Sequence, residues 1–386
     1  MKYLGINAEN LTDLGGIHTA GEIAQQPEIW KKIWLQVKED KASITQFLNE
    51  ALSQSKRIIL TGAGTSAFIG LSLQRVFQLE TGILTEAIST TDIVSHPKDY
   101  FLEKVPTLLI SFARSGNSPE SVAAIKLADE ICDTCYHLII TCNEGGELAN
   151  YTTLSPKFVI TLPKESNDVS LAMTSSYSGM LLAGLLLAKI KELEIHESNV
   201  TTVINYAQHF ILQHADEFRK IAELNFKRVV FLGAGSFYGT ATEAALKVQE
   251  LTNGEVIAKN DSFLGFRHGP KAVVNESTLL VYFLSSSDEY ALRYELDLIN
   301  SMKKGTSSML EIGISETAVS DLNLAFMFHF SENGKKLDDD FLPLCYILPA
   351  QLLGFYKSIQ LGLHPDSPSV NNDISRVVEG VQIYSI

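Results

Sequence analysis

Basic residues are in short supply: 31 Lys and Arg face 45 Asp and Glu, which leaves a net charge of −14 over 386 residues. A broad nucleic-acid surface needs clustered Lys and Arg, and no such block interleaved with aromatics occurs. A bilayer-spanning run is missing too. The most apolar stretch, MLLAGLLLAKI from Met180, is too short, meets Lys189 and Lys191, and reads as a buried helix. The opening MKYLGINAENLTDLGG has neither the basic start nor the long apolar stretch of a signal peptide, so a cytoplasmic location is expected. Cysteine is sparse: Cys132, Cys135, Cys142 and Cys345 suit a reducing compartment. The lone C-x-x-C at Cys132 and Cys135 lacks a second ligand pair, which favours packed thiols. None of the nine histidines has metal-ligand spacing with another His or an acid, so no metal is expected. What is left, 45% hydrophobic and 20% charged, is the composition of a globular chain long enough for two or three domains.

Thr19 and Glu22 have capping-box spacing and predict a helix start, with an interruption near Pro27. A longer helix follows through WLQVKEDKASITQFLNEALSQS, forming an N-terminal helical flank. From Arg57 the pattern changes. RIILTGAGTSAFIGLSLQRVFQ is a short β-branched run, a Gly-rich turn and a helix; RVVFLGAGSFYGTATEAALKVQE from Arg228 repeats it. Arg57 and Arg228, Gly62 and Gly233, and Gly64 and Gly235 are each 171 residues apart. LLISFARSGNSPES from Leu108 matches LLVYFLSSSDEYAL from Leu279 at the same offset. Two strand–loop pairs sharing one offset point to a duplicated α/β domain, joined near residues 192–205. RIIL, TLLISF, YHLIITC and KFVITL read as strands of the first copy, RVVFL, TLLVYFL and SMLEIGI of the second. Such alternation implies parallel sheets with helices on both faces, and ligands beyond the carboxyl ends of the strands.

Both Gly-rich turns and the ARSGNS loop fall at those ends. Gly62 and Gly64 let the backbone approach a ligand, and amides at a helix start favour an anion. A plain βα turn with a Ser or Thr cap is the bland alternative. The third glycine of the dinucleotide fingerprint is missing, which argues against NAD; no cofactor is expected. The comparison between copies separates the readings. ARSGNS supplies Arg114, Ser115, Gly116, Asn117 and Ser118, with Pro119 opening the helix. The second copy has Asp288 and Glu289 where the first has Asn117 and Ser118, and acids there would repel phosphate. The anion cradle is therefore assigned to the first copy, on Gly64, Thr65, Ser66, Arg114, Ser115, Gly116, Asn117 and Ser118. The second copy is left to supply chemistry. Glu243, Lys247 and Glu250 share one face of TEAALKVQELTNGE; a solvated face with an ion pair is the alternative. His268 in GFRHGPKAVV is either a packed core residue or a proton shuttle.

GAGTS, ARSGNS, ALKVQELTNGE and RHGP together resemble the sugar isomerase (SIS) domains, above all the paired domains in the isomerase half of glucosamine-6-phosphate synthase. The resemblance covers about residues 50–386, and STTDIVSHP and SFARSGNSPESVAA narrow it to bacterial galactosamine-6-phosphate deaminase/isomerases, also labelled tagatose-6-phosphate ketose/aldose isomerases. It implies an α/β fold of two tandem SIS domains, each a parallel-sheet αβα sandwich. The flank would occupy 1–45, the first domain 46–198 and the second 199–386. It further implies a phosphate grip on Thr65, Ser66, Ser115 and Ser118, with Arg114 where the synthase has glutamine. Glu250 would be the isomerisation base, Lys247 its neighbour, and His268 the ring-opening residue given to a neighbouring subunit, hence a homodimer or higher homo-oligomer. The synthase ends on an active-site lysine; here Arg376 is the nearest basic residue of the tail, and it can polarise an oxygen but not donate a proton as lysine does. With neither a glutaminase domain nor a leading cysteine nucleophile, the sequence predicts ammonia release, or no nitrogen transfer, from a sugar phosphate. A nitrogen-free isomerase and a non-catalytic sensor are the alternatives.

Overall fold

The computed structural model describes every residue except Met1, Thr306, Asp321, Glu332, Asn333, Lys335, Glu379 and Ile386. A small antiparallel ribbon, β1 (Lys2–Tyr3) with β2 (Ile6–Asn7), opens the chain. Five parallel strands follow: β3 (Arg57–Thr61), β4 (Leu84–Ala87), β5 (Thr107–Ala113), β6 (Cys135–Thr141) and β7 (Lys157–Thr161), in the spatial order β4-β3-β5-β6-β7. The second set is β8 (Arg228–Leu232), β9 (Ile257–Asp261), β10 (Thr278–Phe283), β11 (Leu310–Ser315) and β12 (Phe326–His329), in the order β12-β11-β10-β8-β9.

Read from β9, the second order repeats the first strand for strand. Registers agree as well: Arg57 pairs with Thr107, and Arg228 with Thr278. The duplication seen as a 171-residue offset is thus a duplication of fold and register. The central strands β3, β5 and β6 are buried at every residue, which their continuous apolar runs require when helices cover both faces. In each sheet the chain leaves the first strand to one side and returns on the other, so β3/β5 and β8/β10 are switch points, where a crevice opens beyond the carboxyl ends.

Two compact units hold these sheets. Glu28–Asp168, Met173–Val200 and Ile374–Ile386 make the unit of the first sheet; Met1–Pro27, Val169–Ala172 and Thr201–Asp373 make that of the second. The helix Ser175–Ala188, which includes most of the apolar run, is buried at all its residues, and no described helix is long and apolar enough to cross a membrane. All four cysteines are buried free thiols.

The N-terminal helices differ from expectation. The first runs unbroken from Ile17 to Glu39 with Pro27 inside it, and the break falls at Asp40, before Lys41–Gln54. Proline removes the amide that would bond the carbonyl four residues back. Here that carbonyl, of Ile23, accepts from Gln26 Nε2 at 3.0 Å, so the helix survives. Thr19 does not cap by a capping box either. Its amide and hydroxyl both donate to Asp366 Oδ1 at 2.7 Å, while Glu22 accepts from the amides of Val169 (2.5 Å) and Ser170 (3.2 Å). A distant carboxylate satisfies the helix start in place of a local one.

Candidate active site

The turn after β3 opens the helix Thr65–Thr81 from Gly64 at φ 56° and ψ −127°; its counterpart Gly235 opens Ser236–Leu251 at φ 58° and ψ −129°. A Cβ on Gly62 would lie 2.6 Å from the backbone of Ser66, and one on Gly233 2.5 Å from the Phe237 carbonyl. The tight turn therefore requires glycine in both copies. No side chain caps either helix. Thr65 and Ser66 are buried at the first of these helix starts.

On the neighbouring strand, the loop after β5 runs through Arg114, Ser115, Gly116 (φ 67°), Asn117 and Ser118 into the helix Pro119–Ile131. Proline sits at the first turn, as the sequence predicts, and Ser118 is the N-cap residue, yet its hydroxyl caps nothing. The simple cap reading fails for this loop, leaving the hydroxyl open to a ligand. The rest of the loop is pinned from β6: Asn143 Nδ2 donates to the Ser115 carbonyl (2.8 Å), the Leu148 amide to the Gly116 carbonyl (2.9 Å), and the Glu147 amide to Asn117 Oδ1 (3.0 Å). These bonds use carbonyls and leave the loop amides of Ser115 and Gly116 with no acceptor among the described residues. Amides without an acceptor at a switch point are the kind of donor an anion can take up.

Arg376 belongs to this unit and not to that of Glu250. Its Nε donates to the Asp168 carbonyl at 2.8 Å and its Nη2 to Asn167 Oδ1 at 2.7 Å, while its own carbonyl accepts from Arg114 Nη2. Asp168, 1% exposed, accepts from the amides of Thr174 and Ser176 at 2.8 Å each and from the hydroxyls of Ser175 and Ser176, fixing the turn that holds Arg376. Asn143, Asn167 and Asp168 escaped the sequence reading; nothing in their local pattern marks them.

In the second unit, the helix Ser236–Leu251 brings Glu243, Lys247 and Glu250 together. Lys247 Nζ lies 3.3 Å from Glu243 Oε1 and in a closer ion pair with Glu250 Oε2. The side chains of Glu243 and Lys247 are 0% exposed and that of Glu250 22%. A solvated face is therefore excluded. Burying three charges costs several kcal/mol unless they pair, and a lysine between two carboxylates does pair. Glu250 is the member that reaches the surface, a carboxylate held by a cation and open to a ligand. His268 lies in the turn between helix Phe263–Phe266 and Gly269 (φ 119°), exposed, with no side-chain partner among the described residues. It is not a packed core histidine, and no described contact joins it to Glu250.

The second copy of the cradle is built differently. Its loop residues Ser285, Ser286 and Ser287 stand at the positions of Arg114, Ser115 and Gly116. Ser285 donates through its amide (2.8 Å) and hydroxyl (2.7 Å) to Glu295, and the amides of Ser286 (3.1 Å) and Ser287 (2.8 Å) donate to Asp339 Oδ1. Asp288 caps the helix Glu289–Met302 by accepting from the Ala291 amide at 3.0 Å. Of the two acids anticipated there as hostile to phosphate, Asp288 thus does structural work. Burial pushes the Glu295 carboxyl up to about 7, against the lowering effect of its two Ser285 bonds. A carboxyl raised on folding holds its proton in the native state while the unfolded chain has lost it, so stability falls as pH rises from the unfolded carboxylate range through 7. Glu295→Gln is expected to melt near wild type at pH 5 and above it at pH 8, by an amount on the order of 3 kcal/mol. Parallel thermal melts across that range check it, and a constant difference would refute the assignment.

The SIS domain family matches residues 51–190. The D-galactosamine-6-phosphate deaminase AgaS of a Shewanella species is 43% identical over 384 residues, covering 98% of this chain and 95% of the relative. Among solved structures, a Clostridium novyi protein described as a candidate tagatose-6-phosphate ketose/aldose isomerase superposes with a TM-score of 0.96 at 39% identity, over 100% of both chains. The tagatose-6-phosphate ketose/aldose isomerase of Escherichia coli follows at 0.88 and 34%, again over 100% of both.

Proposed function

The chain belongs to the SIS domain family, in the group of the AgaS deaminases, and from that premise we propose that it converts galactosamine 6-phosphate and water to tagatose 6-phosphate and ammonia. The observation that carries the phosphate half of this reading is the contrast between the copies: equivalent loop amides donate to a carboxylate in the second and to no acceptor among the described residues in the first. The phosphate is held by Gly64–Ser66 and Arg114–Ser118, with the Arg114 guanidinium adding charge. Fixing the distant end of the sugar turns the encounter with the base into a unimolecular step.

Ring opening comes first and falls to His268, supplied by a neighbouring chain in a cytoplasmic homodimer or higher homo-oligomer. Glu250 then removes the C2 proton of the open aldehyde and returns it to C1, while a proton passes from the C2 amino group to O1, so that C1 becomes a hydroxymethyl carbon and C2 an imine. Lys247 orients and charge-balances Glu250. The resulting imine at C2 takes up water and expels ammonia, leaving the ketose. Arg376 acts with Arg114 in the first unit, as a partner of the phosphate grip. An exposed histidine with an open ring and a carboxylate that alone reaches the surface from its buried cluster both support these roles.

The test is a paired assay. Purified protein is given galactosamine 6-phosphate or glucosamine 6-phosphate, and ammonia and ketose phosphate are measured together. Equal amounts of both products from the galacto compound are expected. Ammonia from neither compound would overturn the deaminase reading; ketose–aldose exchange of tagatose 6-phosphate would then identify a nitrogen-free isomerase, the activity named for the Escherichia coli relative.

A further inference from the structure

We propose that Asp339 and Asp340 are a built-in anion that fills the second unit's copy of the phosphate cradle, so that each chain holds a single phosphate ester. The inference rests on reading the first cradle as the phosphate grip, and it follows from matching the two donor by donor. At the 171-residue offset Thr65 corresponds to Ser236, Ser115 to Ser286 and Gly116 to Ser287. In the second unit Ser236 Oγ donates to Asp340 Oδ1 at 3.1 Å, and the amides of Ser286 and Ser287 donate to Asp339 Oδ1 at 3.1 and 2.8 Å. The Ser287 hydroxyl accepts from the Asp339 amide at 3.3 Å, fastening the segment to the loop. Three donors that would converge on phosphate oxygens instead converge on two carboxylates of the same chain.

The duplication explains why such a device is needed. Both copies inherited the glycine turn, the loop and the switch point, and in the second copy the buried donors Ser236 and Ser286 would each cost about 1–3 kcal/mol without an acceptor. In the first copy the substrate would take the Ser115 and Gly116 amides, which have no acceptor among the described residues. The second has the segment Asp338–Asp340, which leads into the helix Pro343–Tyr346 and so cannot drift away. The site also borders a cavity of about 300 Å³ lined in part by Arg293, Lys336, Ser315 and Thr317, with Glu289 as the acidic member. Two cations beside the vacated donors would favour an incoming anion once the carboxylates are gone.

Inorganic phosphate is the probe. Calorimetric titration is expected to give one phosphate per wild-type chain and two per chain of the Asp339→Ala/Asp340→Ala variant. Adding Ser118→Asp, which puts a carboxylate into the first cradle, is expected to bring the count back to one. Two per chain in the wild type, or one in the double variant with the first cradle intact, would overturn the proposal while leaving the first cradle in place. A wild type that binds none would instead overturn the phosphate reading on which it rests. Should the double variant fold poorly, Asp339→Ala alone serves, since it removes the acceptor of both amides: phosphate is expected to raise its melting temperature more than that of the wild type, and equal shifts would count against a built-in anion.

Discussion

Glu250→Gln is expected to lower kcat about 10²–10⁴-fold, the range by which a positioned acid or base accelerates proton transfer, while sugar-phosphate binding stays within a few-fold of wild type. The asymmetry follows from where the residues lie. The proposed grip is on the loops after β3 and β5, in a different unit from Glu250, so the substitution leaves every phosphate contact intact. Folding is also spared: Lys247 keeps Glu243 at 3.3 Å, and the amide fills the carboxylate's volume. Turnover in deuterium oxide supplies the sharper readout, because a base that takes the C2 proton exchanges it with solvent. The variant should bind substrate and yet fail to wash deuterium into recovered sugar. Turnover within tenfold of wild type would remove Glu250 from the mechanism.

The central strands and the duplication were legible because both are written locally. RIIL, TLLISF, YHLIITC and TLLVYFL are continuous apolar runs because their strands are buried on both faces. Within the two parallel sheets, the strands not anticipated, LTEA, IAKND and FMFH, all lie at edges, where one side goes unpaired and the demand for apolar residues relaxes. Pro27 misled for a related reason: its cost is met by Gln26, whose side chain replaces the lost bond, and such compensation cannot be read from propensity. Helix spacing put Glu243, Lys247 and Glu250 on one face but could not say whether that face was wet. Burial decided it, and burial depends on the whole fold. Asp339 and Asp340 sit more than fifty residues beyond the serines whose amides and hydroxyl they receive, or a hundred in the case of Ser236. Their signal was the run Asp338–Asp340 itself, three consecutive acids placed just before a buried helix.

Lys247→Met is expected to be the most damaging single change to stability, at about 3–5 kcal/mol, the cost of breaking a buried ion pair by removing one partner. Methionine fits the space of the stem, so the loss comes from electrostatics and not from a void. Glu243, 0% exposed, would lose the cation 3.3 Å away, and Glu250 its closest partner. One of the two carboxylates must then take up a proton or the helix Ser236–Leu251 must open to water. The expected signature is a denaturation midpoint that falls at neutral pH and partly recovers at pH 5, where protonation is easier. Adding Glu243→Gln should restore part of the loss, since the pair in contact is then removed together and the effects are not additive. Activity separates the proposed role of Lys247 from mere packing. If the lysine orients Glu250, the double variant regains stability without regaining kcat. Recovery of both stability and kcat would make the lysine a structural ion and leave Glu250 to act without it.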